Sequence, residues 1–310
     1  MSFNLLLNNH KTNAGFFKSS LLASVMGCFS LLSLSANAST LISSTEYIDY
    51  ELPKTVQDQC YKKSNCPEIE VKYLKTNHDW INNIVNARIN NLVINSKPSE
   101  SPVNKSTTIK AAKLAIDDFA RSQFKDMPAD SSGSYSLLVK PEYLGHVQKG
   151  HVQKGHVQQG RVQQGRVQQG HLQQGSTKST QTEDFELFEI NSYVFTGGAH
   201  GMPLSEYLIF DVNSKKQVTL ADMLQLGKQS RFKALAYQAY KEWVKTVDED
   251  VSNYEKNWPF TLSDNVTLTD KGINIRYQHY DIGPYAYGMP VLSIPYAKLS
   301  GIIKPSFLAK

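Results

Sequence analysis

Residues 193–220 read YVFTGGAHGMPLSEYLIFDVNSKKQVTL. Tyr193-Val194-Phe195 closes one aromatic and β-branched run, and Glu206-Tyr207-Leu208-Ile209-Phe210-Asp211 forms another. Between them lies Gly197-Gly198-Ala199-His200-Gly201. Three glycines in five residues permit positive φ and close backbone approach, so the segment reads as a tight turn between two strands. A further turn at Asn213–Lys216 leads through Val218 to a short helical piece capped by Thr219. Tight turns join neighbouring strands antiparallel, which argues against a doubly wound parallel sheet.

The flanking sequence extends this reading. Upstream, Phe185, Leu187, Phe188 and Ile190 begin the first strand of the hairpin. Downstream, Phe232, Leu235, Ala236, Ala239, Tyr240, Trp243, Val244 and Val247 recur at helical spacing, predicting an amphipathic helix over 229–247. Strands are expected at 260–262, 266–268, 273–277 and 291–294. Nearer the N-terminus, Glu68–Tyr73 alternates polar and apolar, as a half-buried strand does. A helix is expected from about Asn77 or Asp79 to Val93. A second spans 107–125, with Thr107 or Thr108 as its cap, and Tyr135–Val139 reads as another strand. The expected class is α+β, an antiparallel sheet with amphipathic helices packed on it, in two small subdomains over 39–144 and 176–310.

Residues 145–175 repeat every five positions, from Gly-His-Val-Gln-Lys to Gly-His-Leu-Gln-Gln. One apolar residue in five is too few for a core, and a five-residue step on a helix turns about 140°, which scatters the valines. The segment reads as a low-complexity insertion at a hairpin tip. Its histidines (His146, His151, His156 and His171) could bind a transition metal weakly, but five-residue spacing on such a segment makes a poor ligand set.

The N-terminus carries Lys11 and Lys18, an apolar run from Leu21 to Leu34, and a small-residue site at Ala36-Asn37-Ala38. This is the pattern of a signal peptide over 1–38, too short for a membrane span. Val25-Met26-Gly27-Cys28 is a poor lipobox, so a lipid anchor at Cys28 is the lesser alternative. Cleavage leaves Cys60 and Cys66, an even pair expected to form a local disulfide in an oxidising compartment. The expected location is the periplasm or the medium, with no membrane span in the mature chain.

The formal charge of +5 is misleading. Two lysines lie in the leader, and the repeats add four cations without an acid, so the remainder carries net −1. Nothing in that balance suggests a nucleic-acid surface, which would need basic residues clustered on one face. No G-x-S-x-G elbow, HExxH pair, P-loop or dinucleotide-binding glycine pattern is present. No cofactor is expected. Gly197, Gly198 and His200 are the first candidate contact residues. Tyr280, Asp281, Tyr285 and Tyr287, grouped around Gly283-Pro284, are the second set, because tyrosines on a rigid loop bury area at low entropic cost. A rival reading makes His200 and Asp281 an acid–base pair of an envelope hydrolase or transferase. A third makes the chain a structural envelope protein with the repeat as a spacer.

The stretches 193–224 and 268–299 (LTDKGINIRYQHYDIGPYAYGMPVLSIPYAKL) together resemble an extracytoplasmic domain. It forms the C-terminal part of the RsiV anti-sigma factor and occurs in PdaC-type peptidoglycan deacetylases. Residues 60–140 resemble the smaller domain that usually precedes it. The resemblance implies an α+β domain exposed to the cell envelope, and in RsiV this region binds lysozyme. It therefore implies lysozyme or peptidoglycan as a partner and a non-enzymatic binding role. This chain lacks the deacetylase domain and a sigma-binding segment.

Overall fold

The computed structural model describes residues 41–63, 66–95, 108–124, 135–148, 151–154 and 184–308. The predicted signal peptide and most of the repeat lie outside them. In chain order the elements are β1 (Ser43–Tyr47), α1 (Lys54–Lys63), β2 (Glu68–Thr76), α2 (Asp79–Asn95), α3 (Ile109–Gln123) and β3 (Ser136–Gln148). They continue with β4 (His151–Lys154), β5 (Asp184–Phe195), β6 (Met202–Asp211), β7 (Lys216–Val218), α4 (Leu220–Met223), α5 (Gln229–Val244) and α6 (Val251–Asn257). The last are β8 (Val266–Leu268), β9 (Gly272–Arg276), β10 (Val291–Pro295) and α7 (Tyr296–Leu299).

The class is α+β, as expected. The larger sheet runs β1-β2-β3-β5-β6-β7, with β4 also on β3, and a smaller sheet runs β10-β9-β8. All pairs are antiparallel except β2 with β3, which is parallel over Glu68–Val71. The parallel pair arises because α2 and α3 form the crossover between these strands, a connection too long for a hairpin.

The larger sheet is apolar on both faces. Phe188, Ile190, Leu204, Leu208 and Phe210 point to a core shared with α2 and α3. Phe185, Leu187 and Ile209 point to a second core shared with α5 and the smaller sheet. Strand β3 serves both by a bulge. Its register on β5 slips between Tyr143 and Gly145, leaving Leu144 as an extra residue. Leu137 and Val139 therefore face the first core, while Val147 faces the second. One inserted residue reverses the alternation beyond it.

Carboxamides close the edge of β2 at two residues. Asn86 on α2 accepts from Leu74 N at 2.8 Å and donates to Leu74 O at 3.0 Å. Asn82 does the same for Thr76, at 2.9 and 3.1 Å. These side chains imitate a neighbouring strand where β2 has left β3, and so satisfy backbone groups that burial would otherwise leave unpaired. That explains asparagine at i, i+4 spacing in a helix interior it does not favour.

Some elements differ from the sequence reading. Helix α1 was not anticipated; it carries Val56 and Cys60 into the first core. Cys60 and Cys66 stand at bonding distance as a disulfide, Cα–Cα 4.5 Å. The Asn77 side chain accepts from Ile42 N at 2.9 Å. Thr108 and Thr219 do cap α3 and α4. Residues 260–262 form no strand, and Thr261 O instead accepts from the Tyr277 hydroxyl at 2.8 Å. Strand β3 runs into the first repeat unit, and β4 is the second unit folded back on it, Val147 opposite Val152. No helix among the described residues is long and apolar enough to cross a membrane.

Candidate functional site

The Gly197–Gly201 turn joins β5 to β6, and the loop 278–288 follows β9. The structure brings these two segments together. The Tyr285 ring is stacked on His200, centroids 3.7 Å apart and 16° between planes, and on His279 at 4.2 Å and 21°. Two near-parallel rings this close cannot share one face, so Tyr285 sits between the imidazoles. Its hydroxyl donates to Gly201 O at 2.8 Å. The Tyr280 hydroxyl lies 3.4 Å from His200 Nε2.

Each segment is fixed by its local sequence. Gly197 and Gly198 have φ of 98° and 94°, values that L side chains rarely adopt. At Gly201 a Cβ would fall into the Tyr193 ring, so only glycine lets that ring lie there. In the loop, Tyr254 donates to Ile282 O at 3.1 Å and Tyr287 to Val247 O at 3.4 Å. Gln278 accepts from Ser205 N at 3.1 Å and donates to Ser205 O at 2.7 Å. Asn265 accepts from Tyr207 N at 2.7 Å and also donates to Ser205 O. The edge of β6 is thus closed by amide side chains, as the edge of β2 is.

Asp281 caps its own loop: its carboxylate accepts from Gln278 N at 2.7 Å. Partial burial raises this carboxyl, and the Gln278 N–H opposes the rise. No hydrogen bond joins Asp281 to His200 among the described residues. Burial holds His279 below the ordinary histidine value; the Tyr285 backbone opposes this and the His200 charge adds to it.

Beneath the loop lies a polar group that the sequence reading missed. Arg276 pairs with Glu189 at 3.0 Å, stands over the Tyr207 ring at 4.7 Å and donates to its hydroxyl. Ser205 Oγ donates to the same Glu189 carboxylate. Burial raises Tyr207 and Arg276 counters it. The partners come from β5, β6 and β9, so alternation along any one strand could not reveal them.

All seven candidate contact residues fall in these two segments. Tyr280 and Tyr287 keep 47% and 41% of their surface exposed, which leaves their rings free for contact. His279 and Gln278 join the site without having been singled out. No group of three or more His, Cys, Asp or Glu that could hold a metal occurs among the described residues. Two grooves lie elsewhere. One of about 500 Å³ is lined by Tyr50, Leu52, Cys60 and Cys66, and one of about 440 Å³ lies between α5 and β10.

Two solved structures share the fold. A DUF3298 family protein from Pseudomonas aeruginosa PAO1 is 23% identical, with TM-score 0.52, over 87% of this chain and 95% of its own. A member of the same family from Bacteroides fragilis NCTC 9343 is 15% identical, with TM-score 0.53, over 86% of this chain and 95% of its own. No curated protein matches. The family model described as a protein of unknown function, DUF3298, matches residues 209–297, which take in the loop 278–288 but not the Gly197–His200 turn, and the chain thus carries a DUF3298 domain over that range.

Proposed function

We propose that the chain is an exported, non-enzymatic binding module of the cell envelope, with a wall glycan or a wall-acting protein such as lysozyme as its ligand. The contact surface is His200 with Tyr280, Tyr285 and Tyr287. One observation carries this reading: exposed tyrosine rings stand on a loop that is tied to β6, α6 and the hairpin by side-chain-to-backbone hydrogen bonds. A preorganised aromatic surface binds without the cost of ordering a loop. The leader sequence, the Cys60–Cys66 pair and the resemblance to the RsiV extracytoplasmic region supply the envelope setting. The hydrolase reading would need His200 and Asp281 to work together, and the Asp281 carboxylate is instead engaged by Gln278 N.

The test is titration of the mature protein with peptidoglycan fragments and, separately, with c-type lysozyme. Binding to one of them should weaken at least tenfold in Tyr280→Ala and Tyr287→Ala, with the fold retained in both by circular dichroism and Tm unchanged in Tyr280→Ala. A folded protein that binds neither would remove the proposal.

A further inference from the structure

Tyr285 carries an imidazole on each face, and the two rings differ in what a proton does to them. His279 has its Nδ1 buried with no hydrogen-bond partner among the described residues. A neutral imidazole leaves one nitrogen as a bare acceptor, but the protonated ring carries a hydrogen on both. Protonation therefore buries a charged N–H without an acceptor, which costs more than a bare lone pair. His200 is not in that position. Its Nδ1 lies 3.2 Å from Gly201 O and its Nε2 3.4 Å from the Tyr280 hydroxyl, which can accept as well as donate. A proton on His200 is thus accommodated, and its charge works against a second one on His279. An imidazolium is attracted to a ring face, but that gain is smaller than the cost of the buried donor.

The charged groups around the loop are engaged elsewhere. Asp281 turns its carboxylate to Gln278 N. Arg276 of β9 is held by Glu189 and Tyr207. On the α5–α6 side the loop meets Trp243, Tyr254 and Tyr287, and the Asp248 charge acts on Tyr254. The hairpin brings His200 and, beside Gly201, Tyr193. The loop is also hinged for a local movement. Tyr280 has φ 69° and Gly288 φ 71°, so the segment is entered and left through left-handed backbone, which strains Tyr280. Ile282 is buried in the second core and Tyr254 holds its carbonyl, so the middle of the loop is anchored. Contact with the Gly197–Gly201 turn runs through Tyr280 and Tyr285.

We infer that neutral His279 locks Tyr285 against the Gly197–Gly201 turn and that a proton on His279 unlocks it, so the tyrosine surface is assembled at neutral pH and taken apart in acid. A ligand held jointly by His200, Tyr280 and Tyr285 is then released on acidification. That release rests on the proposed contact surface; the unlocking does not. The sign follows from burial, which holds His279 below its ordinary 6.5, so the locked loop binds this proton more weakly than the open one. Asp281 works the other way. Burial raises its carboxyl, so its own proton uptake favours the closed loop and cannot drive the opening.

The test is NMR of the ligand-free mature protein between about pH 7.5 and 5. The His279 ring protons report its titration, and cross-peaks between the His200 and Tyr285 rings report the stack. The cross-peaks are expected to weaken at least threefold as His279 takes up its proton, while signals of the second core hold. His279→Gln, folded by circular dichroism, should keep the stack throughout. Tyr285→Ala, which uncovers the ring, should raise the His279 midpoint toward 6.5. A stack that persists after His279 has titrated, or one that fades equally in His279→Gln, overturns the proposal. Affinity for c-type lysozyme or peptidoglycan fragments, whichever binds at the upper pH, should fall at least tenfold at the lower one in the unmodified protein and less than threefold in His279→Gln. Equal loss in both overturns the release. Binding to neither removes the contact surface, and the ligand-free spectra then decide the unlocking alone.

Discussion

His146 Nδ1 lies 3.1 Å from Glu186 Oε1 across the β3–β5 pair, and both side chains are buried. The Tyr143 hydroxyl donates to the other Glu186 oxygen at 2.7 Å, and Asp184 Oδ1 lies 3.8 Å from His146 Nε2. The histidine of the first repeat unit is therefore part of the folded sheet. His146→Ala leaves Glu186 short of a buried partner and is expected to cost about 2 kcal/mol. The double variant with Glu186→Ala should lose less than the two single losses combined, by about 1 kcal/mol. Urea titration of the three proteins measures both, and strict additivity would show that the pair is not coupled.

Asn86 stands in for a strand beside Leu74. Asn86→Ala strands two backbone groups and should lower stability by about 2 kcal/mol. It should also speed exchange of the Leu74 amide more than that of Val71, which retains strand pairing. Uniform acceleration of both would argue against a local role.

Gly201 and Gly198 belong to one turn but should respond differently. Gly201→Ala puts a methyl group into the Tyr193 ring and is expected to cost about 3 kcal/mol, with loss of the Tyr285 stack. Gly198→Ala meets nothing within 4 Å and should cost only the positive-φ penalty, about 1 kcal/mol. Melting curves of the two variants would rank them, and the reverse order would refute the packing argument.

His279 has a folded-state pKa below its ordinary value of 6.5. In the interval between the two, the unfolded chain binds more protons, so stability rises with pH. The contribution is complete above about pH 6.5 and is lost as pH falls through the folded value. His279→Gln should flatten the pH dependence of unfolding free energy between about pH 7.5 and 5. An unchanged slope would mean that another group governs this window.

Periodicity made the elements legible wherever one face of a strand or helix is buried. The Gly197–Gly201 hairpin, the capped helices at Thr108 and Thr219 and the alternation of Glu68–Tyr73 follow from local rules. Helix α1 escaped because Lys54–Lys63 has little apolar surface beyond Val56 and Cys60. Nothing local says that Asn82 and Asn86 of α2 meet the backbone of β2. In the site, the grouping of His200 with the tyrosine loop was visible as two separate segments. Their contact through Tyr285 depends on tertiary placement. The Glu189–Arg276 pair was hidden for the same reason, as its members are far apart in the chain and neither sits in a motif.

The extra residue at Leu144 determines which changes in chain length this strand can absorb. Deleting Leu144 would remove the bulge and leave Gly145, His146 and Val147 opposite the same β5 residues, Leu187, Glu186 and Phe185. Losing a second residue as well would reverse the faces of His146 and Val147. The five-residue array begins only after that orientation has been set. Units gained or lost beyond Lys154 leave the pairing of β3 with β5 untouched, so copy number can drift between generations while the sheet stays the same.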